Sequence, residues 1–243
     1  MPNARAVVDV GARAASVATG VAFAVSGFAL ATWLSRIPQL RDQLHLDPSS
    51  LGLVLLSVSA GAVLALPLSG PVVARFGSRR TVTATAVLFA AGLAAVAVGS
   101  TVGVAPVVAG LFVLGAATGG WDVAMNVQGT VVERRLARSL LSRLHAGFSV
   151  GTVAGSLVGA VMVAARVPVS VHLAAVAVLV AVAVPVVARR FVADLGPDRT
   201  DPGEPSGTTG AGHRTAFRAW RERRTVLILR RQACPQSGVI HDV

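Results

Sequence analysis

Asp122 is the one formally charged residue that lies well inside an apolar segment of this 243-residue chain. It directly follows 41 uncharged residues, Thr81–Trp121. Thr118 precedes it by four residues and Asn126 follows it by four. Residues at this spacing share one face of an α-helix, so a helix would align a hydroxyl, a carboxylate and an amide. Such a strip can hydrogen-bond a hydroxylated solute, and its carboxylate can bind a proton.

Two roles for Asp122 follow from the residue type and its surroundings. A carboxylate inside a membrane normally faces a helix bundle or a watery cavity, where it holds a proton more readily than in water. Asp122 would then exchange a proton with its surroundings near neutral pH. Alternatively, it would pair with Arg75, Arg79 or Arg134 as a latch on a gate. The sequence leaves both roles open.

Uncharged stretches on either side of Asp122 predict the elements that position it. Hydrophobic residues make up 53% of the chain and charged residues 14%, with a mean hydropathy of +0.69. Soluble domains carry about 25% charged residues, and a helix of about 20 apolar residues crosses the hydrocarbon layer. The sequence therefore predicts an all-α integral membrane protein, with six spans at about 14–35, 49–73, 81–99, 104–127, 143–165 and 168–188.

The arginines predict the orientation of these spans. All 22 basic residues are arginine, and the net charge is +11. With residues 1–13 in the cytoplasm, 19 arginines lie on the inner side and only Arg36, Arg41 and Arg166 on the outer side. This bias predicts that both termini are cytoplasmic and argues against nucleic acid as a partner. The exclusive use of arginine, with abundant Ala and Val, indicates a GC-rich bacterial gene and hence a bacterial inner membrane.

Glycines recur every four residues along the fifth predicted span. They are Gly147, Gly151, Gly155 and Gly159. Small residues at this spacing let two helix backbones approach closely in lipid. The row therefore favours tight helix packing over a lining for a ligand site.

Other polar residues are weaker candidates. Trp33 near the outer end of the first span and His145 at the inner end of the fifth could contact a solute, although interface anchoring and packing are the simpler readings. We expect no cofactor and no metal, because no Cys/His spacing suggests a metal site. No glycine-rich phosphate loop follows a strand, which argues against ATP-driven transport by this chain. An enzyme is not expected either.

The loop between the second and third spans carries the most specific local motif. Its glycines and arginines are Gly70, Arg75, Gly77, Arg79 and Arg80. The loop resembles the signature of the major facilitator superfamily, which runs Gly, three residues, Asp, Arg, any residue, Gly, Arg, and Arg or Lys. It departs from that signature at Ala74, where the family usually has Asp, and at Ser78, where it usually has Arg.

The resemblance covers residues 14–190 and implies the N-terminal six-helix half of such a transporter. Residues 33–38, 122–128 and 145–151 look similar to uncharacterised bacterial permeases closer to fucose-type sugar:proton symporters than to drug exporters. The resemblance implies secondary active transport of a small polar solute, coupled to protons. It also implies that Asp122 corresponds to a fourth-span carboxylate that couples the proton to the solute.

The C-terminal segment, residues 191–243, predicts a cytoplasmic linker and a basic tail, disordered or lying on the membrane surface. In the family a second six-helix half would follow the linker, so we expect a gene truncated or frameshifted near Arg223. One half offers one wall of a solute site. A homodimer or a missing C-terminal half would supply the other wall. The alternative is a membrane scaffold without transport activity, or an inactive remnant.

The predicted orientation can be tested with reporter fusions. A reporter active only in the cytoplasm should be active when fused within residues 134–143, and silent when fused within residues 36–47. A reporter active only in the periplasm should show the reverse pattern. Periplasmic activity at residues 134–143 would contradict the six-span topology.

Overall fold

The computed structural model describes residues 4–194, so most of the predicted linker and tail lies outside the described residues. The described residues form seven α-helices and no β-strand. The helices are α1 Ala4–Leu34, α2 Ile37–Gln43, α3 Pro48–Phe76, α4 Ser78–Val102, α5 Val104–Leu136, α6 Leu141–Ala164 and α7 Val169–Ala188. Six segments are long and apolar enough to cross a membrane: α1 together with α2, and each of α3 to α7. The prediction of an all-α protein with six spans is confirmed.

Asp47 shows how local sequence begins one of these helices. Pro48 occupies the first turn of α3, where its missing N–H costs nothing. The hydroxyls of Ser49 and Ser50 and their backbone N–H groups donate to the Asp47 carboxylate. These hydrogen bonds hold the pKa of Asp47 well below its ordinary value. Asp47 therefore caps α3 in its charged form.

Four helices form the centre of the bundle and two lie at its edges. α1, α4, α5 and α7 pack against one another, while α3 packs mainly on α5 and α6 mainly on α1. Among the 18 most apolar consecutive residues of each helix, half are buried in α4 and in α5, but only 11% are buried in α3 and 17% in α6. The edge helices therefore present most of their surface outward, on both sides of α5.

One end of the bundle collects the arginines. Short turns join α3 to α4 and α5 to α6 there, and the segment after α7 reaches the same place, because Arg135 donates to the carbonyl of Ala193. The described arginines at this arginine-rich end include Arg13, Arg75, Arg79, Arg80, Arg134, Arg135, Arg138, Arg143, Arg189 and Arg190. The chain thus separates its guanidinium groups from the apolar middle of the helices.

The glycine row of α6 makes the closest contact in the bundle. α1 and α6 run parallel. A Cβ on Gly151 would lie 1.9 Å from the carbonyl oxygen of Ala24, and one on Gly155 would lie 2.3 Å from that of Phe28. No side chain fits at such distances, so the backbones are in direct contact. The packing role predicted from the glycine spacing is confirmed.

A second contact of the same kind joins α3 to α5. A Cβ on Gly115 would lie 2.0 Å from the carbonyl oxygen of Val58, and one on Gly61 would lie 2.1 Å from that of Phe112. These glycines do not form a regular row in either helix, so the sequence spacing did not reveal them. Both edge helices are therefore held by glycine contacts with the centre.

The close glycine contacts predict that one added methyl group at Gly151 destabilises the bundle. Gly151→Ala should force α1 and α6 apart and destabilise the bundle by roughly 1–3 kcal/mol, the usual cost of overpacking. Gly147→Ala is the matched control, because its Cβ would lie 3.4 Å from the carbonyl oxygen of Gly20, in ordinary contact range. Thermal unfolding in detergent measures both. Equal melting temperatures for the two variants would contradict the close contact.

Candidate solute and proton site

Helix α5 directs two adjacent residues to opposite environments. Trp121 is buried and its ring meets Phe89 of α4 edge-on, with ring centroids 5.7 Å apart. Adjacent residues on a helix lie about 100° apart, so Asp122 turns away from this core and is exposed. The buried tryptophan thereby fixes the rotation of α5 that presents the carboxylate.

The predicted polar strip forms on α5. The Asn126 side-chain amide donates to the backbone oxygen of Asp122 at 2.8 Å and to its Oδ1 at 3.2 Å. The hydroxyls of Thr118 and Thr130 donate to carbonyls one turn earlier, those of Leu114 and Asn126. Within the described part of the chain, Oδ2 of Asp122 has no hydrogen-bond donor. That oxygen is available to a proton or to a solute hydroxyl.

The strip lies on the face of α5 that the edge helices flank. Gly119, three residues before Asp122, approaches Ala62 of α3, and Gly129, seven residues after it, approaches Leu144 of α6. Residues three and seven apart share a helix face. Asp122 therefore opens into the space between α3 and α6.

No gate latch forms around Asp122 in this conformation. The only salt bridge in the described residues joins Arg41 to Asp42 at 2.7 Å, outside the arginine-rich end. Arg75 instead lies over the ring of Phe76, 5.6 Å from its centroid. The carboxylate of Asp122 is thus free of the arginines that were its predicted latch partners.

Trp33 and His145, the other two candidate solute contacts, differ in burial and in their distance from the strip. Trp33 is 3% exposed in the last turn of α1, and its indole Nε1 has no partner among the described residues. Asp122 is 18 residues from the start of α5, about 27 Å along the helix from the end where Trp33 lies. His145 is exposed on α6; its Nδ1 lies 3.0 Å from the carbonyl oxygen of Leu141, and its ring contacts Phe23. His145 lies nearer to the strip than Trp33 does, because its neighbour Leu144 packs on Gly129, about 10 Å along α5 from Asp122.

The loop motif folds into a tight junction between α3 and α4. Gly77 has φ +80°, a conformation that favours glycine, and its N–H donates to the carbonyl of Val73. Arg79 and Arg80 follow in the first turn of α4 and are exposed. A Cβ on Gly70 would meet nothing within 4 Å, so no neighbour requires glycine there.

Sequence reasoning missed the partners of Ser78, which stands where the motif usually has Arg. The backbone N–H and the hydroxyl of Ser78 both donate to the carboxylate of Asp194, the hydroxyl at 2.7 Å. The same hydroxyl lies 2.7 Å from the side-chain amide of Gln128, which is fully buried. Asp194 and Gln128 are 116 and 50 residues away from Ser78, so no local spacing signals the contact.

The Ser78 contacts predict a stability change. Asp194→Ala should destabilise the α3–α4 junction by about 1–2 kcal/mol, because it removes the acceptor at the start of α4. Asp194→Asn, which keeps an acceptor oxygen, should lose less. Asp42→Ala is the control, because its exposed ion pair contributes little. Thermal unfolding followed by tryptophan fluorescence compares the three, and an unchanged Asp194→Ala protein would contradict a stabilising role.

A comparison with protein-family models finds a match over most of the chain. The family model described as Major Facilitator Superfamily matches residues 11–233 of the chain.

Three curated proteins are similar to this chain over a little more than half of its length. An uncharacterized MFS-type transporter of Yersinia pestis is 35% identical over 137 residues, which are 56% of this chain and 35% of that protein. The uncharacterized transporter y4wD of Sinorhizobium fredii is 33% identical over 54% of this chain and 34% of its own length. Membrane protein MosC of Rhizobium meliloti is 33% identical over 56% of this chain and 33% of its own length. The aligned region spans about a third of each relative, and none of the three names specifies a solute.

Proposed function

The chain belongs to the major facilitator superfamily, and on this basis we propose that it forms one half of a secondary active transporter for a small polar solute. The observation that carries the proposal is the exposed carboxylate of Asp122 on a helix that is otherwise half buried. Asn126 and Thr118 extend the same strip with an amide and a hydroxyl. Two of the relatives are named as transporters, which supports transport as the activity.

Proton coupling follows from the chemistry of the strip. Asn126 holds one oxygen of Asp122 and leaves the other free. The charged carboxylate accepts hydrogen bonds from solute hydroxyls, whereas the protonated form donates one and binds the solute differently. Because the affinity for the solute then depends on whether Asp122 is protonated, a pH gradient across the membrane can drive uptake. His145, in the second turn of α6, is a second candidate contact for the solute.

The exposed position of Asp122 requires a covering partner. A charged side chain facing lipid at a helix centre costs roughly 3 kcal/mol on insertion scales, so the face between α3 and α6 should line a water-filled cavity. Transporters of this architecture bind solute near the bilayer midplane between two six-helix halves. The second wall would come from a C-terminal half or from a second copy of this chain, and two parallel copies have the required symmetry.

The proposed location is a bacterial inner membrane, with the arginine-rich end in the cytoplasm. Counted along the sequence, 19 of the 22 arginines fall in segments that this orientation assigns to the inner side. This arrangement obeys the positive-inside bias of helical membrane proteins.

The coupling role of Asp122 predicts a specific loss. In proteoliposomes holding a trapped pH dye, a panel of monosaccharides should include one that dissipates an imposed pH gradient with the parent chain. Asp122→Asn should reduce this proton flux to background, because an amide cannot carry the proton. Exchange of labelled for unlabelled solute should persist, because the amide still hydrogen-bonds the solute.

Asp42→Asn is the matched control, since it removes a carboxylate from an exposed position outside the strip. Undiminished proton flux in Asp122→Asn would remove the coupling role. The absence of flux and exchange with every solute in the parent protein would instead favour a membrane scaffold or an inactive remnant.

A further inference from the structure

A cavity of about 830 Å³ lies between α4 and α7 at the arginine-rich end, away from the strip on α5. Its lining combines three arginines with a hydroxyl and small apolar groups. The residues are Arg79, Arg80, Thr83, Ala84 and Val87 of α4, with Pro185 and Arg189 at the end of α7. The transport chemistry proposed above uses none of them.

The lining is ordered along the helix axes. Arg79 and Arg189 lie at the helix ends, whereas Val87 is eight residues further along α4, about 12 Å deeper. Pro185 lies one turn deeper on α7 than Arg189. The cavity therefore presents guanidinium groups at its mouth and an apolar wall toward the middle of the membrane.

The positive charge at the mouth has no counter-ion in the described residues. None of the three arginines forms a salt bridge there. The carboxylate of Asp194 is engaged by Ser78, and the Thr83 hydroxyl already donates to the carbonyl of Arg79. Two of the arginines lie in the first turn of α4, where the helix dipole is also positive, and that turn contains no acidic residue. An anion bound at the mouth would relieve this accumulation of positive charge.

We propose that this cavity binds the phosphate headgroup of an anionic phospholipid. Guanidinium groups pair with phosphate oxygens through two parallel hydrogen bonds. Basic pockets between transmembrane helices bind such headgroups in other membrane proteins. Free phosphate would use the arginines alone, whereas a lipid also covers Ala84, Val87 and Pro185 with its glycerol and first acyl carbons. The bound lipid bridges α4 and α7 next to the Gly77–Ser78 junction.

Native mass spectrometry of the full chain with phosphatidylglycerol tests the proposal. Arg79→Gln with Arg189→Gln removes one guanidinium from each helix. This double variant should weaken phosphatidylglycerol binding roughly 150-fold, because it removes two charge-assisted hydrogen-bond partners of the phosphate that contribute ~1.5 kcal/mol each. Arg79→Lys with Arg189→Lys keeps the charge but loses the paired guanidinium hydrogen bonds, so its binding should fall between those of the parent chain and the Gln variant. Phosphatidylcholine should bind weakly to every variant.

Arg134→Gln with Arg143→Gln is the matched control, because it removes the same charge from the same end but outside the cavity. An equal loss of phosphatidylglycerol binding in this control would overturn the proposal, because it would show that the lipid is attracted by the total surface charge of this end and not by the cavity. Displacement of phosphatidylglycerol by inorganic phosphate would also overturn it, in favour of a soluble anion. Loss confined to the cavity variant, without such displacement, supports the lipid site.

Discussion

Inside a bilayer the hydrophobic effect does little to bring helices together, because lipid tails are as apolar as leucine. The bundle depends on close packing, in which apolar side chains fill the centre and backbones touch directly at positions where a side chain would not fit. Gly151 against Ala24 and Gly115 against Val58 hold the two edge helices to the centre. Because each edge helix is attached along one narrow glycine face, the rest of its surface stays open. That openness creates the space into which Asp122 points.

The polar groups of the spans follow a second rule, set by the absence of water in the hydrocarbon layer. Most hydroxyls donate to a carbonyl of their own helix, as Thr19, Thr85 and Thr118 do. Such groups are satisfied before any partner arrives. Asp122 differs, because Asn126 engages only one of its oxygens. Its other oxygen has no donor among the described residues, and because Asp122 is exposed, a bound solute can reach that oxygen.

At the arginine-rich end of the bundle, carboxylates and arginines make different kinds of contact. Two carboxylates serve backbone N–H groups at helix starts there: Asp194 that of Ser78 on α4, and Glu133 those of Leu140 and Leu141 before α6. Neither pairs with an arginine in the described residues. Arg135 donates to a backbone carbonyl and Arg75 lies over the ring of Phe76, whereas Arg79, Arg80 and Arg189 line the cavity between α4 and α7. The carboxylates at this end therefore cap helices, and the arginines of the cavity have no carboxylate partner among the described residues.

The six spans and the strip around Asp122 could be predicted because both depend on local periodicity. Uncharged stretches of sufficient length reveal crossings, and a spacing of four residues places Thr118, Asp122 and Asn126 on one helix face whatever surrounds that helix. The glycine row of α6 was readable for the same reason. Three features could not be predicted from the sequence. They are the contacts of Ser78 with Gln128 and Asp194, the irregular glycines between α3 and α5, and the burial of Trp33. Each depends on which helices become neighbours and how each is rotated, and that is decided only when the whole bundle packs.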